Sequence, residues 1–170
     1  ILNTDRAAIY QFVENSIGRM VVEEATGKSV SFCSQTNEPH CVLNQYTYSY
    51  SNLGEGIQAI DDVNNVALDD EYIKYLQQLQ VKASLVVPIV KNKETADKDV
   101  DAKSSVWGLL IVHECDRPRI WEESEIELVQ QLATQVSLAI QQAQLYEHAR
   151  TSAQTAQNKA EALEKALYDL

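Results

Sequence analysis

Residues 81–144 decide how this chain folds. They read VKASLVVPIV (81–90), the charged run KNKETADKDVDAK (91–103), SVWGLLIVHECDRPRIW (105–121) and EESEIELVQQLATQVSLAIQQAQ (122–144). The two apolar runs have strand length and many β-branched residues, so they predict core strands over Val81–Val90 and Ser105–Glu114. The run between them balances four bases against four acids, which marks a solvated hairpin loop. After Trp121, the acidic turn of Glu122, Glu123 and Glu125 favours a helix start, because carboxylates suit the positive end of a helix. From there to Leu170 neither Pro nor Gly interrupts the chain.

That last helix carries a regular apolar line. Val129, Leu132, Val136, Ala139, Ala143 and Tyr146 step by alternating threes and fours, the spacing of a coiled-coil seam. Ala149, Ala153, Ala156, Ala160, Leu163, Leu167 and Leu170 resume it after two successive steps of three, a phase slip of the stammer type. The first stripe is expected to cover the domain's own sheet or a partner's. The second, rich in alanine, is expected to be a dimer seam. A compact domain that feeds an outgoing helix has the layout of an input module whose output is helix geometry.

Working outward, Arg6–Val13 and Gly18–Ala25 read as a hairpin across a short polar turn. Lys28–Ser51 holds Cys33, His40 and Cys41, and its Tyr46, Tyr48 and Tyr50 repeat with the period of a strand. Asn52–Gly56 is turn chemistry, and Ile57–Val63 reads as a short strand. Leu68–Leu79 predicts a helix capped by Asp69 or Asp70, with Tyr72, Ile73, Leu76 and Leu79 on one face.

The length of 170 residues suits one domain with an appendage. An apolar fraction of 45% is that of a globular chain. Acids outnumber bases 25 to 14, and a net charge of −11 argues against a nucleic-acid partner. The longest apolar run is far shorter than the ~20 residues that span a bilayer. No basic and apolar leader opens the chain, and its first residue is Ile1, so a fragment of a longer protein is expected. Three cysteines without metal-like spacing fit a reduced, cytoplasmic setting.

The segments LQVKASLVVPIV (79–90), VWGLLIVHEC (106–115), PRIW (118–121) and EIELVQQLATQVSLAIQQAQLYE (125–147) resemble the C-terminal half of GAF domains of the cyanobacteriochrome and phytochrome-related group. DRAAIYQF (5–12) and GRMVVEEA (18–25) resemble its opening hairpin more loosely. The resemblance implies an α+β fold with an antiparallel sheet of about six strands, a ligand pocket on one face and terminal helices on the other. It implies a GAF sensory domain over 1–147, with 148–170 a coiled-coil-like linker helix to a downstream output domain. Bilin-binding relatives carry a Cys-His pair on the helix before the LQV segment. Here Glu71 and Tyr72 stand at those positions, so the usual thioether anchor and its histidine are missing. A second anchoring cysteine of some relatives has its counterpart in Cys41, within Glu38-Pro39-His40-Cys41-Val42, where Val42 replaces the relatives' Phe.

Cys41, Tyr46, Tyr50, Tyr72 and His113 are therefore the candidate pocket residues. His113 shares the strand parity of Trp107, Leu109 and Ile111 and should share their face. The bland reading of each is a loop cysteine, core-filling tyrosines and a satisfied core histidine. The acidic group Asp61, Asp62, Asp69, Asp70 and Glu71 spans a strand end and a helix cap, so a solvated rim is favoured over a metal site. No catalytic residue and no metal are expected. The leading expectation is a non-catalytic, dimeric sensory domain relaying ligand or conformational state through its exit helix, with no required cofactor. A bilin held by Cys41 or without a covalent bond is one alternative. A GAF-type free methionine sulfoxide reductase using Cys33 and Cys41 is an alternative of another class.

Overall fold

The computed structural model describes residues 2–13, 18–26, 56–90 and 106–168. Among the described residues five strands form one antiparallel sheet: β1 (Arg6–Phe12), β2 (Gly18–Ala25), β3 (Gln58–Ile60), β4 (Ala83–Val90) and β5 (Val106–Glu114). A 3-10 turn (Val63–Asn65) and helix α1 (Asp70–Gln78) lie between β3 and β4, and helix α2 (Glu123–Tyr168) follows β5. The strand order is β2-β1-β5-β4-β3. The first strand thus sits inside the sheet, paired on one side with β2 and on the other with β5. The tyrosine-rich stretch Lys28–Ser51 and the loop 91–103 lie outside the described residues.

Alternation along β1 separates two faces. Ala8 and Tyr10 join Val86, Leu109 and Ile111 in a core completed by Tyr72, Tyr75, Leu76 and Leu79 of α1 and its C-terminal end. On the opposite face Ala7, Leu110 and Val112 line a groove together with Leu128, Val129 and Leu132 of α2. β4 is covered from both sides: Leu85, Val86, Val87 and Ile89 are all buried. A strand covered twice reads as a continuous apolar run, and VKASLVVPIV does so.

α1 starts and stops through local chemistry. The Asp69 carboxylate accepts hydrogen bonds from the amides of Glu71 (3.0 Å) and Tyr72 (3.2 Å). Asp70 and Glu71 add negative charge to the first turn. At the other end the Val81 amide donates to Leu76 O and the Gln80 amide to Gln77 O, closing a Schellman-type cap. Gln80 takes the left-handed position at φ 61°, a place that usually favours glycine. The buried side of the helix is Tyr72, Tyr75 and Leu76. Ile73, expected on that side, is half-buried at its margin.

α2 extends over 46 residues. The chain divides into two compact units, Ile1–Ser137 and Leu138–Leu170. In the first, Val129 and Ala133 are buried while Leu132 is 46% exposed. The buried line is thus Val129 and Ala133, flanked by the half-buried Ile126 and Val136, and Leu132 stands beside it. In the second unit every described residue from 142 to 168 is exposed, the alanine stripe included.

Candidate functional site

The inner face of the sheet, under α1, receives both of the expected pocket residues that fall among the described ones. Tyr72 is buried in the core, and its hydroxyl donates to the Gln58 side chain on β3 at 3.4 Å. Burial pushes the Tyr72 phenol well above its ordinary pKa, so it is a neutral donor at any physiological pH. His113 is 2% exposed and lies on the same face as Leu109 and Ile111, as its strand parity predicts. Cys41, Tyr46 and Tyr50 lie outside the described residues, as does Cys33.

His113 belongs to a polar row that crosses three strands. It pairs with Arg6 on β1 and with Ser84 on β4. Arg6 Nη1 stands 3.3 Å from His113 Nδ1, and Nη2 donates to Leu79 O at 3.1 Å. Arg6 Nε lies 3.6 Å from Glu23 of β2, an ion-pair distance that is long for a hydrogen bond. Desolvation, and then the Arg6 charge, hold His113 well below its usual pKa, so the ring is neutral and Nδ1 can accept. Ser84 Oγ is buried with no hydrogen-bond partner among the described residues. Arg6 is the residue that local pattern does not flag. Its one visible signal is parity with Ala8 and Tyr10, which a charged residue ordinarily contradicts.

A second charged cluster closes one end of the sheet. Asp5 accepts from the amides of Cys115 (2.7 Å) and Asp116 (3.2 Å). The Cys115 amide is the main cause of its lowered pKa. Desolvation, then a hydrogen bond with Asp5, raises the Glu114 carboxyl. Arg119 reaches Glu114 at 3.1 Å, Asn3 O at 2.9 Å, and Glu125 of α2. Its guanidinium lies 5.1 Å from the centre of the Trp121 ring. The acidic residues of the expected rim serve local structure: Asp62 caps the 3-10 turn, Asp69 caps α1, and Asp61 accepts from the Trp121 amide. No three His, Cys, Asp or Glu side chains converge as metal ligands among the described residues.

The outer face carries an apolar groove of about 410 Å³ lined by Leu2, Ala7, Leu110, Val112, Leu128 and Leu132, among others. No helix among the described residues is long and apolar enough to cross a membrane. The two faces differ in kind: one is a packed interior with a buried polar row, the other a shallow apolar surface beside a helix. The inner arrangement can hold hydrogen-bond donors in fixed places.

The GAF domain family model matches residues 1–140, which hold this antiparallel sheet, the helix on its inner face and the start of the long terminal helix. The chain belongs to the GAF family. It is 33% identical over 144 residues to a Synechocystis protein named for methyl-accepting chemotaxis, covering 85% of this chain and 13% of that protein. It is 37% identical over 92 residues to the circadian input-output histidine kinase CikA of Thermosynechococcus vestitus, covering 52% of this chain and 11% of that one. The chain therefore spans only about an eighth of the length of these two relatives. Among solved structures, the cyanobacteriochrome TePixJ GAF domain superposes with a TM-score of 0.65 at 30% identity, covering 84% of this chain and 81% of that one.

Proposed function

We propose that residues 1–147 are a non-catalytic, cytoplasmic sensory GAF domain of a larger signalling protein, and that 148–170 link it to an output domain such as a histidine kinase. The observation that carries this reading is the exit helix. A helix of this composition is marginal in water without a packed face. Here the stripe Ala149, Ala153, Ala156, Ala160, Leu163 and Leu167 is exposed along its described length. A second copy in parallel would bury it and would align two output ends, as a two-fold relay requires. A ligand bound more tightly in one helix arrangement than in another would shift the balance between them. Sedimentation at micromolar concentration is expected to show a dimer that Leu163→Glu combined with Leu167→Glu weakens without unfolding the domain. A monomer at every concentration, or a dimer indifferent to the double change, would defeat the helical seam.

The likeness to a cyanobacteriochrome favours a second reading, a light sensor whose pocket includes Cys41, Tyr46, Tyr50, Tyr72 and His113. α1 reads DEYIKYLQQ, which has neither cysteine nor histidine to hold a tetrapyrrole. Protein from a bilin-producing host, once denatured, is expected to show no zinc-induced fluorescence, while visible absorbance of the native form would report noncovalent binding. A fluorescent band that disappears in Cys41→Ala would instead establish attachment at Cys41.

A further inference from the structure

We propose that Arg119 is the positioning residue that ties the state of the sheet to the seating of the exit helix, an inference that rests on the relay reading. Its guanidinium holds two carboxylates from different layers. Glu114 is the last residue of β5, and Glu125 lies in the first turn of α2. Glu125 also serves the helix itself. Its other oxygen accepts the Glu122 amide at 3.1 Å, the return half of a capping box that starts α2. Pulling Arg119 away therefore unsettles the helix cap. The three side chains are partly shielded, with 11–21% of their surface accessible, so solvent screens these contacts less than it would at an open surface.

The floor beneath the guanidinium reports on the interior. Trp121 donates its indole N–H to Ile60 O at 3.2 Å and its amide to Asp61 at 3.1 Å, while the Arg119 amide donates to Asp61 O at 2.9 Å. Ile60 ends β3, and two residues earlier Gln58 accepts from Tyr72 of α1. A continuous set of contacts thus runs from a candidate pocket residue through β3 to Trp121 and Arg119, and from there to the helix cap. Lysine cannot replace a planar fork that serves two carboxylates and lies over a ring.

The test is amide hydrogen exchange on the whole chain, in a cycle of Glu114→Gln with and without a change at Arg119. In the parent, Glu114→Gln is expected to speed exchange at residues 126–129 by about tenfold relative to β4 amides, the size of a direct coupling. With Arg119→Gln, the same change at Glu114 is expected to alter those amides by less than about twofold. Arg119→Lys keeps the charge and serves as the second background should the glutamine variant fail to fold; it too is expected to uncouple the pair. A merely structural arginine would give the same Glu114 effect in every background. That result, or no effect in the parent, overturns the proposal. The exchange is read within the first turns of α2 and does not require association. A monomeric chain with Arg119-dependent coupling would sink the dimer relay alone, and a dimer without it would sink this inference alone.

Discussion

Gly108→Ala is expected to destabilise the protein by about 3 kcal/mol, the upper range for forcing atoms into a filled site. A β-carbon at this position would stand 2.2 Å from the carbonyl oxygen of Tyr10 and 3.1 Å from the Cα of Gln11. Those atoms are backbone, so no rotamer change relieves the overlap. The strands must part where Gln11 and Gly108 face each other, at the end of the β1–β5 ladder. β1 also carries β2, so the loss extends to the hairpin. Gly18 offers an instructive contrast, because a β-carbon there would meet the Tyr10 ring at 2.0 Å. Tyr10 covers that glycine from the neighbouring strand, an aromatic filling the space a side chain would occupy. Chemical denaturation of Gly108→Ala gives the number. A change below about 0.5 kcal/mol, the range of ordinary surface substitutions, would mean that the strands do not approach so closely.

Arg6→Met is the second large effect, expected at about 3–5 kcal/mol, the cost of removing one partner from a buried charged group. The substitution removes the buried guanidinium that stands 3.6 Å from the Glu23 carboxylate and donates to Leu79 O. Adding Glu23→Gln should recover part of the loss, because it removes the carboxylate that faced the arginine. A cost below about 1 kcal/mol would assign the arginine to the surface. The same row makes stability depend on pH. The His113 pKa is depressed in the folded protein, so above its ordinary value near 6.5 both states are neutral and pH has no effect through this group. Below 6.5 the unfolded chain takes up a proton that the folded one refuses, and stability falls by up to about 1.4 kcal/mol per pH unit until the folded pKa is reached. Glu114 has the opposite sign: its raised pKa favours folding at low pH and that favour fades as pH rises. The difference between the parent and His113→Asn isolates the histidine. Burial is the larger cause of the shift, so Arg6→Met should retain most of the acid slope and His113→Asn should lose it. An unchanged slope in His113→Asn would place the titration elsewhere.

Hairpin β1–β2, strands β4 and β5, the short β3, α1 and the long α2 are all legible in the chain, because each rests on periodicity or capping among near neighbours. Asp69 caps the helix that its position predicts. His113 faces the interior because strand parity is local. The long helix shows where such reading reaches its limit. Leu132 and Ala133 both continue the three-four spacing from Val129, and hydrophobicity alone favours the leucine. The sheet's position buries Ala133 instead and leaves Leu132 along the outer groove.

Of the candidate pocket, parity places His113 and helical spacing places Tyr72, but neither reveals their partners. Arg6 lies 107 residues from His113, and Asn3 lies 116 from Arg119. Those pairs exist because β1 inserts between β2 and β5, an ordering to which no local pattern is sensitive. Which segments are strands and helices, and which sides are apolar, follows from the order of residues, because backbone geometry imposes those periods on any neighbourhood of the chain. That a buried arginine meets a neutral histidine, that Gly108 must lack a side chain, and that Arg119 joins sheet to helix are visible in the folded chain alone. Each depends on which distant strand lies alongside, and that choice is made by the packing of the whole sheet.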